Sequence, residues 1–81
     1  MADYSARLRA PVDFGHALQQ ARAARGISQM DLAKELGIPQ STVSAMESGK
    51  STIYLRRLLA IARATGIDFT ATWVGRDATR D

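Results

Sequence analysis

Apolar residues recur every three to four positions through most of this chain and every second position near its end. Phe14, Ala17, Leu18 and Ala21 share one side of a helix. Asp13 stands where an N-cap acceptor belongs and Gly26 where a left-handed C′ residue belongs, so a first helix is predicted over about residues 14–25. Gly15 in its first turn carries a helix penalty of about 1 kcal/mol relative to Ala. Ser28 opens the next segment, with Asp31 three residues on as a partial capping box. Met30, Leu32, Ala33 and Leu36 then keep helical spacing up to Gly37, which predicts a short second helix.

After "GIP" comes "QSTVSAMES", residues 40–48. Val43 and Met46 fall on one side of this third predicted helix, while Gln40, Ser41, Ser44, Ala45 and Ser48 fill an opposing arc of about 140°. Pro39 suits a first helical position, so the helix is expected to begin a residue early. "LRRLLAIARAT", residues 55–65, predicts a fourth helix stopped by Gly66. Leu55, Leu58, Leu59 and Ala62 share its apolar face, Ile61 lies beside them, and Arg56, Arg57 and Arg63 lie largely outside.

The period then changes. In "IDFTATWV", Phe69, Ala71 and Trp73 alternate with Thr70, Thr72 and Val74, the pattern of a strand. A lone strand leaves its backbone groups unpaired. Residues 1–11 show no clear period and end at Pro11, so they are expected to form a flexible arm, and "RDATRD", residues 76–81, a short charged tail.

Composition narrows the setting. With 81 residues this is one domain, small enough to bury only about 60–65% of the surface its unfolded chain exposes. It has no cysteine for a disulfide, which leaves oligomerisation as the support such a small core would need. The longest apolar run, "LLAIA", is too short to span a bilayer, and the N-terminus lacks an apolar signal segment, so a soluble, cytoplasmic protein without membrane contact is expected. A net charge of +3 permits phosphate binding without establishing it. With a single histidine and no cysteine, no nucleophile, base and orienting group can be assembled, and nothing resembles a metal cluster, so neither catalysis nor a cofactor is expected. "SGKS", residues 48–51, lacks the first glycine of a phosphate-binding loop and follows a helix instead of a strand.

Two short helices joined by a glycine-containing link describe a helix-turn-helix, whose second helix offers its outer face to the DNA major groove. The run "FGHALQQARAARGISQMDLAKELGIPQSTVSAMESGKS" resembles the phage-repressor-like family of Cro, C1 and XRE proteins, and the resemblance extends to Gly66. It implies a mainly α fold, a small helical bundle built around the helix-turn-helix over residues 12–66. It further implies a structural ion pair between Arg22 and Glu47, base reading by Gln40, Ser41, Ser44 and Ala45, and phosphate contacts from Ser28, Gln29 and Lys50. Pro39 departs from the family, which usually caps its reading helix with Ser or Thr.

The end of the chain is similar to HipB-type antitoxins, which follow the same domain with a short strand that pairs with its copy in a second subunit. On that resemblance residues 67–75 form a dimerisation strand, with Phe69, Ala71 and Trp73 covering the helices beneath, near Leu55 and Leu59. The homodimer would read a palindromic operator, repress its own operon and bind a HipA-like serine/threonine kinase toxin. Two alternatives stand beside it. One is a stand-alone regulator without a toxin; the other is a protein-interaction module that does not read DNA, suggested by a reading face without Arg or Lys.

Overall fold

The computed structural model describes residues 2–75. It is mainly helical, with the order β1 (Ala2–Arg7), α1 (Pro11–Ala24), α2 (Gln29–Leu36), α3 (Gln40–Glu47), α4 (Ile53–Thr65) and β2 (Thr70–Gly75). The charged tail read from residues 76–81 lies outside the described residues.

The predicted flexible arm is instead a strand, and it supplies the partner that β2 needs within the same chain. β1 and β2 run antiparallel with Tyr4 opposite Trp73 and Ala6 opposite Ala71. Leu8 N–H donates to the Phe69 carbonyl at 2.9 Å and carries the pairing one step beyond the strands. The Tyr4 and Trp73 rings stack with centroids 6.0 Å apart and planes at 26°. Residues 2–7 were illegible as a strand because only Tyr4 among them strongly favours one; the preference comes from what lies across the ladder.

Several helix ends also move. α1 begins at Pro11, which suits a first helical position because its absent N–H has no partner to find there. Asp13 is therefore the third helical residue, not the N-cap, and its carboxylate reaches back to accept from the amides of Arg9 and Ala10, both at 2.9 Å. Those two bonds hold the Asp13 carboxyl below its ordinary range. Pro39 does not start α3 early. Its φ of −65° is compatible with an extended ψ of 145°, so it serves as the N-cap and the helix starts at Gln40. α4 starts two residues before the predicted span because Thr52 caps it, its Oγ1 accepting from Leu55 N–H at 3.2 Å.

Ser28 and Asp31 close a reciprocal capping box on α2, with bonds of 3.0 and 3.1 Å. Small residues dominate the core: among the described residues Ala17, Ala33, Val43, Leu59 and Ala62 are the buried apolar side chains. Met46, expected on the apolar side of α3 with Val43, is half exposed. Gly15 explains its own place in α1. A Cβ there would sit 2.5 Å from the Glu47 carbonyl oxygen and 2.8 Å from the Gly49 nitrogen, so glycine lets α1 meet the end of α3 backbone to backbone. Gly49 mirrors it, with a φ of +85° and a would-be Cβ 2.8 Å from Val12 Cα.

Candidate nucleic-acid interface

α2 and α3 are joined by the turn at Gly37, whose φ of +69° lets the chain reverse, and Ile38 N–H closes that turn onto the Ala33 carbonyl at 3.0 Å. Val43 buries the underside of α3, while Gln40, Ser41 and Ser44 are exposed and Ala45 is half-buried. The structure thus brings the four residues read as base-contacting onto one short helix, with three of them open to solvent.

What holds this helix in place is a chain of hydrogen bonds across three helices. Arg22 of α1 donates from Nε to Glu47 Oε2 at 2.6 Å and from Nη2 to Oε1 at 3.0 Å, while its Nη1 donates to the Ile27 carbonyl at 2.8 Å. Glu47 is buried at the end of α3, with its side chain 5% exposed. Its Oε1 also accepts from Gln29 Nε2 at 3.0 Å, and Gln29 Oε1 in turn accepts from Gln40 Nε2 at 3.3 Å. The Arg22 bonds, then the Gln29 bond, lower the Glu47 pKa against the opposing effect of burial, and the same pair raises that of Arg22. The carboxylate is therefore ionised at neutral pH.

The residues read as phosphate-contacting have different settings. Ser28 Oγ accepts from Asp31 N–H and so belongs to the cap, though its hydroxyl proton can still be donated outward. Gln29 is tied at both ends of its amide, with one N–H left over. Lys50 is exposed, and its backbone N–H folds back onto the Ala45 carbonyl at 3.1 Å. It lines an open depression beside α3 together with Ser41, Ala45, Ser51 and Thr52. Arg56 braces the rim, donating from Nη1 to Ser51 Oγ at 2.8 Å.

Two features of this site escaped the sequence reading. The Gln29–Gln40 bond could have been suspected, since each residue opens its helix. The other is the polar rim, where Arg56 meets Ser51 beside the Thr52 cap; reading Thr52 as a cap would have found only the cap. Phe69, Ala71 and Trp73 belong elsewhere: Ala71 and Trp73 lie in β2, and Phe69 lines a cleft with Leu8, Leu59 and Ala62. Among the described residues there is no group of three or more acidic, His or Cys side chains that could hold a metal ion, and no helix is long and apolar enough to cross a membrane.

Comparison with known proteins agrees with this geometry. Residues 18–71 match the family model described as helix-turn-helix. The chain is 39% identical over 57 residues to the HTH-type transcriptional regulator PrtR of Pseudomonas aeruginosa, a match covering 70% of this chain and 22% of that protein. It is 33% identical over 60 residues to an uncharacterised HTH-type transcriptional regulator of Methanocaldococcus jannaschii, covering 74% of this chain and 91% of that protein. No solved structure gives a significant match.

Proposed function

The chain belongs to the helix-turn-helix family of the Cro, C1 and XRE type, and from that premise we propose that it is a dimeric, sequence-specific DNA-binding repressor. The observation that carries this reading is the tethered Gln40. It is exposed at the start of α3, yet its amide is bonded to Gln29, which is itself bonded to the buried Glu47. The bond restricts the rotamers open to the exposed amide, which suits a group that must meet a base edge in a fixed geometry. Gln40 and Ser41 present donors and acceptors for base edges, Ser44 adds a hydroxyl, and Ala45 offers a methyl to thymine. Gln29, Ser28 and Lys50 flank them as phosphate contacts, which set register without reading sequence.

Dimerisation is supported by the terminal ribbon. An isolated two-stranded sheet is only marginally stable in water. Here Tyr4 is 48% exposed and Val74 57% exposed, and each strand has one unpaired edge. Tyr4 and Val74 lie on opposite faces of the ribbon, so a second copy meeting it would cover one face or one edge and place two α3 helices on a palindromic operator, with half-sites about 10 base pairs or a multiple apart. The finer role, a HipB-type antitoxin that represses its own operon and holds a HipA-like kinase, is supported by the sequence resemblance alone.

Binding to a selected operator duplex should fall steeply between 50 and 200 mM salt, by roughly 10- to 1000-fold for a small number of phosphate contacts. Flat salt dependence would favour the protein-interaction module instead. Sedimentation equilibrium should find a dimer for the full chain and a monomer for Trp73→Asp; an intact dimer in the variant would remove the ribbon from the interface.

A further inference from the structure

We propose that the cleft between the C-terminal end of α4 and the ribbon binds a small organic anion with an apolar body, a medium-chain carboxylate in its simplest form, and that the occupant braces the ribbon against α4. The site stands apart from the proposed DNA-reading role, because none of its lining residues lies in α2 or α3.

Segments remote in sequence build the cleft. Leu8 and Arg9 come from the link between β1 and α1, Leu59, Ala62 and Arg63 from α4, and residues 66–69 from the link between α4 and β2. They enclose about 290 Å³, near the lower end of the roughly 300–1,000 Å³ of small-molecule sites. The occupant must therefore be compact. Leu59 and Ala62 are buried, whereas Leu8 and Phe69 are only half-buried and keep apolar surface in contact with water. Covering that surface is the gain open to an apolar body.

The rim selects the charge. Arg63 Nη1 donates to the Arg9 carbonyl over a long 3.4 Å, both side chains are exposed, and neither forms an ion pair among the described residues. The carboxylates nearby are engaged: Asp68 pairs with Arg7 at 3.2 Å, and Asp13 accepts from the amides of Arg9 and Ala10. Asp13 still attracts Arg9 through its charge, which makes Arg63 the stronger anchor. The carbonyl end of α4 disfavours an anion, but its partial charge of about −0.5 is outweighed by two guanidinium groups. A neutral guest gains the floor alone; a carboxylate gains floor and rim together.

The walls are also the links through which the ribbon joins the helices, tied to each other by the 2.9 Å bond from Leu8 N–H to the Phe69 carbonyl. An occupant touching both links and α4 restrains that tie.

The test is an NMR titration of the full chain with octanoate, octanol and butanoate, for wild type and for the double variant carrying Arg9→Gln and Arg63→Gln. Octanoate should give saturable shifts centred on Leu8, Leu59, Ala62 and Phe69, and should bind about tenfold more tightly than octanol. Butanoate should bind at least about tenfold more weakly than octanoate, since each methylene buried contributes up to about fourfold. The double variant should lose about tenfold for octanoate and bind octanol as wild type does. Exchange of the Leu8 amide with solvent should slow as octanoate fills the site; unchanged exchange would overturn the bracing. No saturation up to about 10 mM octanoate, equal binding of octanol, or undiminished octanoate affinity in the double variant overturns the site. Shifts spread over the exposed Tyr54 and Ile61 of α4 do the same, because they mark contact with any open apolar surface. Shifts in the cleft on concentrating the protein alone would assign it to a second copy and also end the proposal.

Discussion

The corner where α1, α2 and α3 meet and the ribbon of β1 and β2 are built on opposite principles. In the corner, charged and amide groups are bonded to one another: Arg22, Glu47, Gln29 and Gln40 form one row, and among the described residues no buried side-chain polar atom lacks a partner. The ribbon has a short ladder, one aromatic stack and an exposed ion pair of 3.2 Å between Arg7 and Asp68 beside it. Buried polar groups must be paired because their desolvation is not otherwise offset, whereas a solvated ribbon can leave groups to water or to another chain. The corner is fixed by bonds within the chain; the ribbon keeps an open edge on each strand and exposed side chains.

The sharpest way to break the contrast is Glu47→Ala, which strands the Arg22 guanidinium at a partly buried site. It should lower stability by about 3–5 kcal/mol in chemical denaturation. Titration tests the same carboxylate without mutation. The folded pKa of Glu47 lies below its unfolded value, as do those of Asp13 and Asp31, the last lowered by its bonds to Ser28. The unfolded chain therefore binds more protons in acid. Stability from these groups is complete above the ordinary carboxylate range, about pH 4–5, and is lost as pH falls below that range through the lowered folded values. Melting temperature should drop on that side, and less steeply in Gln29→Leu, which removes one of the bonds that lower the Glu47 pKa.

Gly15→Ala sets helix propensity against packing. Alanine would favour the isolated helix by about 1 kcal/mol, yet its methyl would meet backbone atoms that no rotamer change can move. A net loss of about 2–3 kcal/mol is expected in urea denaturation, and a neutral result would mean that α1 and α3 separate readily. Smallest of all, Arg7→Ala removes an exposed pair and should cost less than about 0.5 kcal/mol. A larger loss by thermal melting would show the ribbon to be more tightly held than its exposure implies.

The contrast also marks where the sequence could be read. Ser28, Asp31, Gly37 and Gly66 announce helix ends through local chemistry, and the second, third and fourth helices were legible to within a few residues. Asp13 and Pro39 misled because each is compatible with more than one position in a helix start, and the choice depends on what the preceding chain does. β1 was invisible for a stronger reason: strand pairing joins residues about seventy positions apart, and nothing in "ADYSAR" encodes where Trp73 will be.

Gly15 shows the division most plainly. As a residue in a helix it is only a local penalty; against the Glu47 carbonyl it is what permits the close crossing. Helical periodicity, caps, charge and the family pattern are properties of neighbouring residues, so the sequence by itself determined the helices and the helix-turn-helix. Tertiary structure decided the rest. The partner of β2, the close meeting of α1 with α3 and the row from Glu47 to Gln40 all depend on distances between residues remote in the chain, and those distances exist only once the helices have packed.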